Sequence, residues 1–245
     1  MTNLQSIIDA GGPWQQARII GGQLLIQGDC RDIIGGFEFD AICTDPPYGI
    51  GESKKAAVRT QSARGDARWR GRGPTDYKSS DWDYSAPDLR WIAQSTKPAI
   101  VWGGNYFGFP KSSMWLVWDK MTCGADFADC ELAWTNQKGA VRKFEWLWSG
   151  FRKQAPEKRY HPTQKPIALM EWCLGFLPDA QTILDPFAGS FTTAVACQRL
   201  GRQSISIELD PDYYQIGLKR VQEVVNNPPL FTPAPPKPIQ DAMDI

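Results

Sequence analysis

Residues 182–197 read Thr-Ile-Leu-Asp-Pro-Phe-Ala-Gly-Ser-Phe-Thr-Thr-Ala-Val-Ala-Cys, and this stretch decides the fold. Its order predicts a strand that ends at Asp185, then a tight loop and a helix. The small residues Ala188, Gly189 and Ser190 let a ligand approach the loop backbone. The helix start that follows offers unpaired N–H groups and a positive dipole end to an anionic group. The stretch therefore predicts a ligand-binding turn in an α/β sheet.

The next predicted strand, residues 203–207, ends at Glu208, a little over twenty residues past Asp185. An acid at this distance, at the tip of the second strand of a βαβ unit, can accept hydrogen bonds from ribose hydroxyls. The loop lacks the three-glycine pattern of dinucleotide-binding proteins. This argues against NAD and favours a ligand that contains adenosine without a pyrophosphate.

A second motif, Asp45-Pro46-Pro47-Tyr48, follows the apolar run of residues 39–44. The two prolines fix φ and keep the preceding residues extended, so the backbone carbonyls cannot turn into a helix. Asp45 and a proline carbonyl could then accept hydrogen bonds from a planar amino group while Tyr48 stacks on its ring. An ordinary loop is the alternative interpretation of this motif taken by itself.

The wider pattern predicts a doubly wound, Rossmann-like mixed sheet of about seven strands. Helices are predicted near 87–96, 166–177, 192–201 and 211–226, and strands near 23–27, 38–44, 98–102, 114–118, 131–135, 181–185 and 203–208. Four strands finish at an acid: Asp29, Asp45, Asp185 and Glu208. Ligands bind outside the carboxyl ends of such strands, so these acids are predicted to face one crevice.

The 245 residues, of which 42% are hydrophobic, predict a single catalytic domain over 1–226 and a flexible proline-rich tail over 227–245. No window reaches the ~18 apolar residues that span a membrane, and residues 1–12 do not resemble a signal peptide. We therefore expect a cytoplasmic protein without a membrane partner. Six cysteines without a CxxC pair and a single histidine do not predict a metal site.

The net charge is zero, but two segments are locally basic, near 51–82 and 140–160. Both are predicted to be insertions that meet phosphates, and a solvated surface loop is the alternative for the first. The second interleaves its basic residues with Trp146, Trp148 and Phe151. The candidate nucleic-acid contacts are Lys54, Lys55, Arg59, Arg68, Arg70, Arg72, Lys143, Arg152 and Lys153.

Taken in order along nearly the whole chain, the motifs resemble the amino-group DNA methyltransferases of the permuted β group, in which the catalytic motif precedes the cofactor motif. The matching segments are 24–30, 45–49, 101–105, 115–120, 131–134, 161–166, 185–193 and 207–211. This resemblance implies an enzyme that uses S-adenosyl-L-methionine to methylate double-stranded DNA. It also implies a homodimer and a possible cognate restriction endonuclease.

The resemblance assigns catalysis to Asp45, Pro46, Pro47 and Tyr48. An exocyclic amine is a poor nucleophile because its lone pair is delocalised into the ring. Hydrogen bonds to Asp45 and to the Pro46 carbonyl would localise that pair, and Tyr48 would stack on a base flipped out of the duplex. This chemistry needs neither a metal nor a covalent nucleophile, and the chain has no Pro-Cys dipeptide of the kind used in C5-cytosine methylation.

The resemblance also implies a cofactor site. Asp29 matches a residue near the adenine ring, Glu208 the ribose acid, and the segment 163–165 meets the methionine carboxylate. For His161, a packing role is preferred over a catalytic base. The full predicted cofactor set is Asp29, Cys30, Asp45, Thr163, Gln164, Lys165, Asp185, Phe187, Ala188, Gly189, Ser190, Thr192 and Glu208.

Phe191 departs from the family pattern, which has a glycine at this position. If φ must be positive there, a bulky residue is costly and could obstruct the cofactor. The favoured alternative is that Phe191 begins the helix and points its ring into the core.

Adenine N6 is the leading target, because an aspartate at position 45 is typical of the adenine enzymes of this family. Cytosine N4 is the second, since the geometry of its amine is nearly the same. A protein-glutamine or ribosomal RNA methyltransferase fits less well, because those carry asparagine in the catalytic motif. A catalytically silent DNA-binding relative follows if Phe191 closes the cofactor pocket.

Overall fold

A computed structural model describes residues 2–51, 83, 86–122, 128–149, 152–161 and 163–228. Nine of its strands form one sheet: β1 Gln16–Ile20, β2 Gln23–Gln27, β3 Ala41–Thr44, β4 Ala99–Trp102, β5 Trp115–Asp119, β6 Cys130–Thr135, β7 Arg142–Glu145, β10 Thr182–Asp185 and β11 Gln203–Glu208. Two short strands, β8 Trp148–Ser149 and β9 Arg152–Lys153, pair separately. The helices are α1 Leu4–Ala10, α2 Cys30–Ile33, α3 Arg90–Ala93, α4 Ile167–Leu174, α5 Thr192–Arg199 and α6 Pro211–Asn226.

The strand order in the sheet is β1-β2-β11-β10-β3-β4-β6-β5-β7. The five strands from β2 to β4 run parallel, whereas β1 and β6 are antiparallel to their inner neighbours. From the central pair β10 and β3, the chain moves outward in opposite directions, to β11 on one side and to β4 on the other. This is the point at which open α/β sheets form a ligand crevice. The predicted mixed α/β sheet is confirmed, with nine strands rather than seven.

The central strands of the sheet are buried on both faces, which explains their mainly apolar residues. Every residue of β3, β4 and β10 is buried, as expected for parallel strands covered on both sides. Ala41 and Cys43 pack on the face that carries α4 and α5, while Ile42 joins Leu184 and Ile205 on the opposite face. The sheet therefore separates two apolar layers and fixes where each strand ends.

Several predicted bounds are corrected. The strand predicted at 38–44 begins only at Ala41, because Asp40 Oδ2 instead accepts hydrogen bonds from the N–H groups of Gln181 and Thr182, at 2.9 and 2.8 Å. The helix predicted at 87–96 is reduced to α3, since Asp88 accepts from the Arg90 N–H and stops the helix from starting earlier. The helices predicted at 166–177 and 192–201 shorten to α4 and α5. The sequence did not predict β1, β7, β8, β9, α1 or α2.

Among the described residues, no helix combines the length and the apolar character needed to cross a bilayer. The same residues contain no group of three histidine, cysteine, aspartate or glutamate side chains that could hold a metal ion. The end of α6 at Asn226 coincides with the predicted end of the domain. Residues 229–245 lie outside the described residues, so the predicted tail stays a prediction.

Candidate active site

The two sequence motifs meet at the carboxyl ends of β3 and β10. The Thr44 hydroxyl, at the end of β3, donates a 2.7 Å hydrogen bond to Asp185 Oδ1 at the end of β10. Asp45 follows directly, so the segments around Asp45 and Asp185 share one crevice although 140 positions separate them in the chain. Burial raises the pKa of Asp185 to about 6, against hydrogen bonds that favour its ionised form.

A pocket with about 390 Å³ of empty space, including its mouth, opens at this crevice. The pocket contains most of the predicted cofactor residues but not Asp29, Cys30 or Glu208. Its lining residues are Asp45, His161, Thr163, Gln164, Lys165, Met170, Asp185, Phe187, Ala188, Gly189, Ser190, Thr192 and Thr193.

Glu208 lies behind the pocket and shapes the loop after β10. Its Oε2 accepts a 2.7 Å hydrogen bond from the Gly189 N–H, and its Oε1 accepts one of 2.7 Å from the Asp210 N–H. Burial raises the pKa of Glu208 to about 7, despite these two bonds. The predicted ribose acid thus ties the cofactor loop to the turn that begins α6, and its contact with a ribose stays a prediction.

Phe191 shows both features that were considered as alternatives from the sequence: a positive φ and a ring that points into the core. Its φ is 61° and its ψ is 38°, in the left-handed region, where it stands as the residue preceding α5. Its ring is nevertheless fully buried and packs against Tyr214 and the bare backbone of Gly217. The ring therefore points into the core rather than into the pocket, and a strained backbone accompanies it.

Arg220, which the sequence analysis did not identify, fixes the same loop from α6. Its side chain is 5% exposed and donates to the Ser190 carbonyl, to Ser190 Oγ at 2.9 Å and to Thr192 Oγ1 at 3.2 Å. Glu157 supplies the opposite charge, at 3.4 Å. Burial lowers the pKa of Arg220 and raises that of Glu157. No local sequence signal marks Arg220, because its partners lie 28 to 63 positions away.

Gln164 connects this network to the segment 158–165. Its amide nitrogen donates to Glu157 Oε1 at 2.9 Å, and its amide oxygen accepts from the Tyr160 N–H at 2.8 Å and from Ser190 Oγ at 3.3 Å. Gln164 therefore shapes the pocket wall through protein contacts. His161 packs against the Tyr213 ring, with ring centroids 4.4 Å apart, and burial lowers its pKa to about 3. Its preferred packing role stays a prediction.

A buried charge cluster surrounds the predicted catalytic carboxylate. Lys165 Nζ lies 2.7 Å from Asp45 Oδ2 and 2.9 Å from Glu131 Oε2, and its side chain is 4% exposed. Lys120 forms a second ion pair with Glu131. Burial alone would raise the pKa of Glu131, but Lys165 and Lys120 lower it to about 2. Burial raises the pKa of Asp45, and Lys165 opposes that shift.

Lys165 therefore lines the pocket, but its ammonium is engaged by two carboxylates. The resemblance had placed it beside a methionine carboxylate. Glu131 lies in a matching segment, yet no role was assigned to it. A lysine before a helix and a glutamate within a strand carry no sequence signal that they meet, because only the folded chain brings the two side chains together.

The Tyr48 side chain completes the cluster. Its hydroxyl donates a 2.7 Å hydrogen bond to Asp45 Oδ1 and lies 3.2 Å from Lys165 Nζ. Its ring stacks on Tyr106, with centroids 5.0 Å apart and planes 19° from parallel. The backbone of Gly103 packs against the same ring, since a Cβ added there would lie 2.1 Å from Tyr48 Cε1.

Comparison with known proteins finds similarity to DNA methyltransferases. The N6/N4 methyltransferase family, described as "DNA methylase", matches residues 110–219. The chain is 26% identical over 248 residues to "Type II methyltransferase M.ScaI" of Streptomyces caespitosus, covering 81% of each chain. The chain is a relative of the amino-group DNA methyltransferases. It is also 42% identical over 140 residues to "Type II methyltransferase M2.DpnII" of Streptococcus pneumoniae, and 40% identical over 77 residues to "DNA adenine methyltransferase YhdJ" of Escherichia coli strain K12.

Coverage differs among these relatives of the methyltransferase. The match to M2.DpnII spans 56% of this chain and 47% of that protein, and the match to YhdJ spans 31% and 26%. The chain therefore matches about half the length of one curated relative and about a quarter of another. The match to M.ScaI, in contrast, runs over most of both chains.

Two predicted cofactor residues of the methyltransferase, Asp29 and Cys30, do not line the pocket. Asp29 follows β2 and caps α2, accepting a 2.9 Å hydrogen bond from the Arg31 N–H. A side-chain hydrogen bond from Arg31 lowers the pKa of Asp29. Burial raises the pKa of Cys30 to about 12, so its thiol stays protonated at neutral pH.

The predicted DNA contacts of the methyltransferase divide into two groups. Lys54, Lys55, Arg59, Arg68, Arg70 and Arg72 lie outside the described residues. Of the others, Lys143 pairs with Glu145 at 2.6 Å and Lys153 donates to the Glu157 carbonyl at 2.6 Å while lying over the Trp148 ring. Arg152 belongs to β9. Their contacts with DNA stay predictions.

Proposed function

We propose that the chain transfers a methyl group from S-adenosyl-L-methionine to the N6 amino group of adenine in double-stranded DNA. The observation that carries the proposal is the union of the Asp45 and Asp185 segments in one crevice, joined by the hydrogen bond from Thr44. The match to the DNA methylase family model supports methyl transfer to DNA, and the match to a relative named as an adenine methyltransferase favours adenine.

The pocket fits the proposed cofactor. Ala188 and Gly189 leave the loop backbone accessible, and the carboxyl groups of Asp45 and Asp185 line a space that would hold a cationic ligand. S-adenosyl-L-methionine carries both a sulfonium and an ammonium charge, and when bound it supplies an electrophilic methyl group. The Phe191 ring lies in the core, so the obstruction considered from sequence has no support.

The residues around Asp45 suit the activation of an amino group. A carboxylate has about four lone-pair sites, so Asp45 can accept from an amino hydrogen in addition to Lys165 and Tyr48. The Pro46 carbonyl would accept the other hydrogen. The negative charge of Asp45 would stabilise the positive charge that develops on the nitrogen. Lys165 and Glu131 would fix the carboxylate in position for this task.

The experiment is expression of the chain in a host that lacks DNA methylation, followed by mass spectrometry of the nucleosides from its genomic DNA. We expect N6-methyladenine, and none from the Asp45→Ala variant produced at the same level. Detection of N4-methylcytosine instead would show that cytosine, and not adenine, is the target base. Absence of both modified bases with soluble, folded protein would contradict the proposal. Sequencing that detects modified bases would then define the methylated site.

Relatives named as Type II methyltransferases also support a proposed role in restriction-modification, with a cognate endonuclease as partner. The predicted homodimer, the cytoplasmic location and the single-domain organisation stay predictions.

A further inference from the structure

The Tyr48 ring is covered by two neighbouring residues of the protein. Gly103 lies against one region of the ring: an added Cβ would lie 2.1 Å from Cε1, 2.4 Å from Cδ1 and 2.5 Å from Cζ. A point that is close to three bonded ring atoms in this way lies above the ring plane rather than beside its edge. The ring of Tyr106 is stacked on Tyr48 as well, at 5.0 Å and 19°. A planar base could reach Tyr48 only by replacing one of these neighbours.

The backbone of Gly103 is fixed in its position against the Tyr48 ring. Its N–H donates a 2.8 Å hydrogen bond to the Leu132 carbonyl in β6, and its φ of 67° is set by the turn that follows β4. The next residue, Gly104, packs so closely on Trp134 that an added Cβ would lie 2.3 Å from the Trp134 Cβ. The backbone of this turn therefore packs closely against its neighbours at both Gly103 and Gly104.

Tyr106, in contrast, is 49% exposed and ends the short 3-10 turn Gly104–Tyr106. The next residue, Phe107, is anchored by its contact with Phe109, with ring centroids 5.7 Å apart. The backbone around Tyr106 can therefore stay in place while its ring rotates into solvent, at the cost of one aromatic contact.

We propose that Tyr106 occupies the place of the target base on Tyr48 in the DNA-free protein and leaves it when the flipped base arrives. This inference rests on the proposed DNA methyltransferase function. In this role Tyr106 is a positioning residue: it keeps the Tyr48 ring stacked and aligned while the site is empty. A flipped base would then exchange one stack for another, which reduces the net gain from its own stacking.

The test uses a duplex that contains the methylated site with 2-aminopurine at the target position, or pyrrolocytosine if the target is cytosine. Fluorescence of the analogue rises when the base leaves the stack, so the titration reports binding of the flipped base. Tyr106→Ala should lower the half-saturating duplex concentration by about two- to tenfold, the value of one aromatic stack. Tyr106→Phe keeps the stack and should match the unaltered protein.

The same duplex with an abasic target site is the control. It offers no base to displace Tyr106, so the unaltered protein and Tyr106→Ala should bind it equally. Tyr106→Leu, which keeps bulk but loses the flat ring, serves if the alanine variant does not fold. In steady-state kinetics, the KM for DNA should fall while kcat stays within about twofold.

Two outcomes would overturn the inference while leaving the proposed function intact. If the unaltered protein methylates its site but Tyr106→Ala loses the fluorescence rise, Tyr106 supports the base rather than yielding to it. If Tyr106→Ala and the unaltered protein bind both duplexes alike, Tyr106 has no part in base binding. If the unaltered protein neither methylates DNA nor changes the fluorescence, the proposed function fails and this inference fails with it.

Discussion

Lys165 Nζ lies 2.7 Å from Asp45 Oδ2, in a site where the lysine side chain is 4% exposed. The lysine precedes α4 and the aspartate follows β3, so the pair joins two distant parts of the chain. Glu131 shares the same ammonium at 2.9 Å. One buried cation thus balances two carboxylates, with Lys120 as a second, more exposed counter-ion of Glu131.

We predict that Lys165→Met will lower the free energy of unfolding by about 2–4 kcal/mol, because it leaves two partly buried carboxylates without their shared, buried cation. Methyl transfer should fall at least about tenfold, since Asp45 would then gain a proton more easily. Binding of S-adenosyl-L-methionine should change less than methyl transfer does. Denaturant unfolding, calorimetry and a methyl-transfer assay measure the three quantities.

Lys120→Met is the matched control, because Lys120 pairs with Glu131 and not with Asp45. Its loss should lower the free energy of unfolding less than the loss of Lys165, because Glu131 keeps Lys165 as a partner. If Lys165→Met instead weakened cofactor binding as strongly as methyl transfer, Lys165 would act mainly on the cofactor, as the sequence resemblance had suggested.

Phe191 and Gly217 should show strong coupling. Gly217→Ala would place a Cβ 2.0 Å from Phe191 Cδ2, so it should destabilise the protein although Gly217 lies inside α6. Phe191→Gly should relieve the left-handed backbone but lose a buried ring, for a net loss of about 2–4 kcal/mol. In that background Gly217→Ala should stabilise α6 by about 1 kcal/mol.

A double-mutant cycle measured by denaturant unfolding checks this reversal of sign. If the effect of Gly217→Ala were the same in both backgrounds, the two residues would not be packed as described. Because the ring lies outside the pocket, Phe191→Gly should still bind the cofactor.

Arg220→Met should weaken binding of S-adenosyl-L-methionine by roughly tenfold, since Arg220 holds the Ser190 carbonyl and hydroxyl and so fixes the pocket loop. It should also cost about 3–5 kcal/mol of stability, because Glu157 would lose its buried partner. Calorimetric titration and thermal unfolding give the two values.

Gln222→Met on the same helix is the control for Arg220→Met. Gln222 is exposed and its amide donates only to Asn226 within α6, at 2.9 Å, so neither quantity should change appreciably. Unaltered cofactor affinity in Arg220→Met would show that the loop keeps its shape without the guanidinium.

The central strands could be predicted because each is a short apolar run that ends at an acid or a small residue. The largely apolar composition of β3, β4 and β10 indicates that both of their faces are covered. The edge strands β1 and β7 carry alternating polar residues, and β7 reads Arg-Lys-Phe-Glu, which resembles a solvated loop. Such strands form because a neighbouring strand offers backbone groups for hydrogen bonding, and the local sequence does not reveal that neighbour.

The site residues, like the strands, could be predicted only where the local sequence carries the signal. Asp45 and Asp185 stand in motifs whose chemistry is local, and the sheet topology brings them together. Glu131, Arg220 and Tyr106 have roles that arise from partners far along the chain or from a three-dimensional stack, so neither periodicity nor spacing reveals them. The positive φ of Phe191 was one of two alternatives, and tertiary packing selected both the strained backbone and the buried ring.

Glu208 should make both stability and cofactor binding depend on pH. Burial raises its pKa from an ordinary 4.5 to about 7. A raised carboxyl pKa means that the folded state favours the protonated form, so this contribution to stability is complete below about pH 4.5 and is lost as the pH rises through about 7. Asp185, with a pKa of about 6, should add a change in the same direction at lower pH.

Cofactor binding should show the opposite trend. Ribose hydroxyls donate to an ionised carboxylate more strongly than to a protonated one, so affinity should rise between about pH 6 and pH 8. Glu208→Gln should bind more weakly and lose this rise, because it cannot ionise. It should also lose one of the two backbone hydrogen bonds, from Gly189 or Asp210, since an amide has one acceptor oxygen. Calorimetric dissociation constants across this pH range provide the measurement, and an equal slope in Glu208→Gln would assign the titration to another group.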